Sequence, residues 1–209
     1  TLAAVVHYLG LSWQNSKVLT LVAIASIVAA LGEVGYIAFQ AARQQASHFN
    51  MSTPFHAAIY SLMAAGAVVL VVASAVVGWS AAIDGQSSLA MPTRIAIAIG
   101  LIGGTILTLI TAFRLGGNMS HHIGLERVGA MRMPLTGWSL QVGDLRPSHF
   151  FATHMIQAVP VFGVVATRLL PATPAIIAVI LFSIFWTGLT LGLFQIALSG
   201  RPLTVLLGR

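Results

Sequence analysis

The sequence predicts an all-α polytopic membrane protein, a helix bundle of five full spans preceded by the end of a sixth. Three observations carry this prediction. Charged residues make up only 7% of the 209 positions and hydrophobic residues 57%, where a soluble domain holds roughly 25% charge. Five apolar runs, 18–42, 55–79, 94–115, 149–170 and 173–198, reach the length of about 20 residues that a span requires. None shows the apolar–polar alternation of a barrel strand, so each must close its backbone hydrogen bonds as a helix.

Residues 1–10 (Thr-Leu-Ala-Ala-Val-Val-His-Tyr-Leu-Gly) are too short to cross a bilayer. They lack the basic start and cleavage site of a signal peptide. They read as the tail of another helix, which would give the natural protein at least six spans. We call the face reached at the end of the first full span S and the opposite face O. Short O-side connections then fall at 11–17, 80–93 and 170–172, and the S side holds a turn at 47–54, a loop at 116–148 and the C-terminal tail. Pro54, Pro92 and Pro147 sit at or just before helix starts, where a missing N–H costs nothing. The loop 116–148 is long for a bundle connection. Its Met131, Met133, Leu135 and Trp138 predict an extramembrane cover on one face of a single membrane-embedded domain, residues 1–209.

Seven Lys or Arg lie on the S side (Arg43, Arg114, Arg127, Arg132, Arg146, Arg201 and Arg209) and three on the O side (Lys17, Arg94 and Arg168). The positive-inside rule makes S cytoplasmic on that count. Setting aside Arg43, Arg114 and Arg146 as neighbours of histidines removes most of the bias. The net charge of +6 is dispersed. That pattern suits a lipid surface and, with no clustered basic run, not nucleic acid. Zero cysteines exclude disulfides, thiolate metal sites and cysteine nucleophiles.

Polar residues inside apolar spans are functional candidates by default. On the first full span Glu33, Tyr36, Gln40, Gln44 and Ser47 fall in one arc at about 100° per residue, with Arg43 at its edge. The functional reading is a proton or ion path toward the S face. The structural reading is a hydrogen bond between helices, with Gly32 and Gly35 at a packing face. Gly103 and Gly104 with Thr105 and Thr108 also suit close helix packing.

Six of the seven histidines, His48, His56, His121, His122, His149 and His154, fall toward the S side. His149 and His154 lie about 140° apart around their helix, so each must look to another element. Gln157 follows His154 on one face. Asp144 either caps the helix start or pairs with Arg146. Three chemistries fit. A haem b would take two of His48, His56, His149 and His154 as axial ligands, with Arg43, Arg114 or Arg146 on its propionates. Zinc would take its ligands from those histidines and Asp144, leaving an open position to activate water against a lipid-like substrate. The third is no metal: histidines that hydrogen-bond or titrate near neutral pH.

Gln44-Gln45-Ala-Ser-His48-Phe-Asn50 with Thr53-Pro54, and Met133-Pro-Leu-Thr-Gly-Trp138-Ser through Gly143-Asp-Leu-Arg146-Pro-Ser-His149-Phe to His154 and Gln157, carry a resemblance. The chain resembles a group of uncharacterised bacterial polytopic integral membrane proteins over most of residues 33–165. The resemblance implies that His48, Asn50, Asp144, Arg146, His149, His154 and Gln157 are signature positions, that the chain sits in a bacterial inner membrane, and that the O side is cytoplasmic. It brings no activity. Cofactor or metal binding is thus the leading expectation, haem b or zinc. A proton-coupled transporter or channel using Glu33 and a structural subunit of a membrane complex, possible also as a homo-oligomer, are the alternatives. The expected partners are the bilayer and a hydrophobic, lipid-like small molecule.

Overall fold

A computed structural model describes residues 2–208, without the Leu207 side chain. Two short helices, α1 (Leu2–His7) and α2 (Leu11–Gln14), precede α3 (Lys17–Ala42), α4 (Pro54–Ile83) and α5 (Met91–Gly117). A two-residue ribbon, β1 (His122–Ile123) with β2 (Gly143–Asp144), bounds the long loop. The chain continues through α6 (Arg146–Leu169), α7 (Ala172–Leu198) and a 3-10 turn (Leu203–Leu207). The helices α3 to α7 are each long and apolar enough to cross a membrane, so the all-α bundle of membrane type stands. Their bounds lie within about four residues of the sequence expectation, as helix ends normally do.

Local chemistry explains the starts. The Ser16 hydroxyl accepts from the Val18 amide and the Thr53 hydroxyl from the His56 amide, with Pro54 following at the first turn. The O-side end of α4 is fixed by Asp84, a buried carboxylate that accepts from the amides of Gly10 (2.7 Å) and Gln86 (3.0 Å). That pins the N-terminal segment to the bundle. Val5 and Leu9 there join Val77, Ala81, Ile97 and Leu101 in one apolar cluster.

Close packing is concentrated where α5 meets α6. A methyl group added at Gly100 would come within 2.5 Å of Pro160 Cδ, and one at Gly104 within 2.7 Å of Ile156 Cγ1. Only glycine lets these backbones approach so closely. Pro160 is inside α6, where it removes a helical hydrogen bond, and its ring fills the space that Gly100 vacates. The seam between α6 and α7 is aromatic. Phe162 stacks on Phe182 at 4.2 Å, and the Trp186 indole donates to the Phe151 carbonyl at 2.7 Å. By contrast α3 packs chiefly on α4 and leaves most of its surface toward lipid.

Two expectations are corrected. Gly32 and Gly35 have nothing within 4 Å of an added methyl, so they form no packing face. The stripe on α3 also ends earlier than its periodicity suggests. The helix stops at Ala42, and Gln44 turns to a left-handed φ of 54°, so Gln44 leaves the arc and lies exposed.

Candidate functional site

The S-side halves of α3, α4, α5 and α6 line a half-open cavity of about 520 Å3. Its wall runs from the rim residues His48, Phe49 and Gly116 down to Ala67, Val68 and Val71. Polar side chains occupy only the part nearer the S face. Glu33 lies nine residues, or roughly 14 Å, from the end of α3, and Thr108 sits at a similar depth on α5. His149 and Thr153 enter from the first two turns of α6. Below them the lining is alanine and valine.

Glu33 and His48 face each other across this upper part, Oε1 to Nε2 at 4.0 Å, with side chains 23% and 49% exposed. His48 also shares a hydrogen bond with Ser47 (3.0 Å) and meets Tyr60 edge-on. Phe49 is held at a φ of 54°, a conformation that a bulky residue keeps only when its surroundings impose it. Its ring packs on Tyr60 at 5.7 Å and on His121 at 5.3 Å, so it forms part of the rim. His149 shares a hydrogen bond with Thr111 through Nδ1 at 3.0 Å, and its Nε2 has no partner among the described residues.

Over the rim stands a charged knot. Asp144 is fully buried at its side chain and receives the Arg146 guanidinium in a two-pronged pair, Nε to Oδ1 at 3.0 Å and Nη2 to Oδ2 at 2.6 Å. The amides of Ser139 and Arg146 add two more hydrogen bonds, so Asp144 pairs with Arg146 and also holds the first amide of α6, whose N-cap position is Leu145. Burial alone would raise the Asp144 pKa. The Arg146 and amide hydrogen bonds outweigh it and hold the carboxyl below its usual range. His122 lies 3.7 Å from Asp144 and 3.8 Å from Glu126, which also pairs with Arg132. Loss of hydration, then the charge of Arg146, lowers the pKa of His121 beside this knot. The loop beyond is folded at its base, where Trp138 meets Phe150, whereas Leu135 and Met131 at its tip are exposed.

The remaining expected site residues are dispersed. His56 hydrogen-bonds Tyr36 at 2.9 Å, outside the cavity lining. Gln40 is fully buried and donates to the Ala46 carbonyl, tying down the turn after α3. His154 is exposed on the outer face of α6, where it bonds the Phe150 carbonyl and stacks on that ring at 3.9 Å. Gln157 is exposed with it. Arg43 lies exposed over Phe39, Arg114 is exposed, and Arg146 is committed to Asp144. The zinc set of His48, His56, His149, His154 and Asp144 therefore does not converge. No group of three His, Asp or Glu among the described residues could hold a metal ion. The angular separation along α6 is the cause: one turn presents His149 inward and the next presents His154 outward.

Sequence reasoning did not single out Thr111, Tyr60 or Phe49 for the site. Thr111 and Thr108 had a readable signal, two hydroxyls three residues apart near the end of an apolar span. The position of Phe49 rests on a backbone turn that no pattern announces. No protein-family model, curated protein or solved structure matches this chain.

Proposed function

We propose that the protein binds a hydrophobic small molecule with a polar head, held in the cavity with its head among Glu33, His48 and His149. One observation carries the reading: the cavity is apolar in depth and polar only toward the S face. Its volume of about 520 Å3 lies within the range of small-molecule sites, and a few convergent polar groups on apolar walls are their usual makeup. Haem b is one form such a ligand could take, with His48 and His149 as the imidazoles that share the cavity. Native mass spectrometry of the purified protein tests the reading. A lipophilic molecule should remain bound to the wild type and be absent from Ala67→Phe, which fills the deep end. An empty wild type contradicts it. An absorption spectrum of the same preparation reads the haem form directly, through a Soret band.

The Glu33–His48 approach at 4.0 Å supports a second reading, proton-linked transport, because it joins a carboxylate inside the span to an imidazole at the rim. Proteoliposome flux unchanged in Glu33→Gln would exclude it.

A further inference from the structure

The tautomer of His149 follows from the hydrogen bonds around Thr111. The Thr111 hydroxyl lies 2.9 Å from the Leu107 carbonyl and 3.1 Å from the Thr108 carbonyl, and it has one proton to give. If that proton goes to a carbonyl, Thr111 Oγ1 is free to accept from His149 Nδ1–H, and both contacts are hydrogen bonds. If the proton goes to His149 instead, the carbonyl contact is lost. Inside an apolar bundle the arrangement with more hydrogen bonds is favoured. His149 then carries its proton on Nδ1 and turns a bare lone pair, Nε2, toward the cavity that it lines.

One neighbouring observation bears on the same head group. Thr108, also on the lining, is 97% buried, and its hydroxyl has no partner among the described residues. A head-group hydroxyl satisfies both groups at once, because it can donate to the Nε2 lone pair and accept from the Thr108 hydroxyl. We infer that the bound head group carries a hydroxyl that donates to His149 Nε2, so the ligand class is a hydrophobic alcohol or phenol rather than an ether or ketone. The inference rests on the cavity being a ligand site. It adds that Thr111, which need not touch the ligand, is a positioning residue that sets specificity by fixing the imidazole tautomer.

The test compares decyl phenol with its methyl ether, which keeps the shape and loses the donor, on the full chain in lipid nanodiscs. The wild type should bind the phenol about tenfold more tightly, the effect of one buried hydrogen bond with its acceptor left unsatisfied in the ether complex. In Thr111→Val, which keeps the imidazole but frees its tautomer, that ratio should fall toward one while ether binding stays. His149→Phe should give the same loss of preference. If that variant does not fold, Thr111→Val alone decides. Equal binding of phenol and ether by the wild type overturns the donor requirement and leaves the cavity a ligand site. Binding of neither overturns both. A Soret band abolished by His149→Ala assigns Nε2 to iron and also overturns the proposal.

Discussion

The two sides of this bundle use glycine in opposite ways. Along the α5–α6 seam Gly100 and Gly104 let one backbone press against another, and the neighbouring side chains leave no room for a methyl group. On α3 Gly32 and Gly35 face open space, and between them Glu33 looks into a cavity. Small residues in a membrane helix are commonly read as a packing face. That reading is right for α5 and wrong for α3. The difference teaches that the seam and its cap are a rigid frame, whereas α3 is a wall placed to leave a space. Stability should therefore depend on one side and ligand binding on the other.

The largest expected effect is at the cap of the seam. Asp144→Ala strands the Arg146 guanidinium and two amides, and should lower unfolding stability by about 3 kcal/mol, read by denaturant titration in detergent. The same pair gives a pH signature. The folded Asp144 pKa is depressed, so its stabilisation is complete above the unfolded value of about 3.9 and is lost as pH falls below that through the folded value. Asp144→Ala should flatten that acid limb. A wild-type curve with no acid limb would place the pair outside the stability of the frame.

Next comes the seam itself. Gly104→Leu must displace Ile156 and its backbone nitrogen, at 3.0 Å from the added carbon, and should cost about 2–3 kcal/mol. Tyr36→Phe on the loose side removes one partly buried hydrogen bond to His56 and should cost about 1 kcal/mol. Gly32→Leu should change stability by less than about 0.5 kcal/mol. Equal losses for Gly104→Leu and Gly32→Leu would erase the distinction between the two sides.

The spans were legible because the bilayer imposes one strong rule, a continuous apolar length, and the chain obeys it five times. The pairing of Asp144 with Arg146 was legible because the two are two residues apart at a helix start. Periodicity also separated His149 from His154. It failed at Gln44 and Ser47, which lie beyond Ala42, the last residue of the helix. The gathering of six histidines was a statement about one face of the membrane, a plane far wider than a coordination sphere. Which of them meet depends on helix rotation and on the turn at Phe49, and those are set by tertiary packing. Asp84 escaped notice for a related reason: its long-range partner is the Gly10 amide, 74 positions away in the chain.

Photolabelling tests the central claim most directly. A decyl phenol with a diazirine at the end of its tail, equilibrated with the protein in nanodiscs, should label α4 at Ala67, Val68 and Val71, where the cavity ends. Ala67→Phe should remove that label. Labelling spread over the lipid-facing side of α7, at Ile177, Leu181 and Ile184, with no enrichment on α4, would contradict the account.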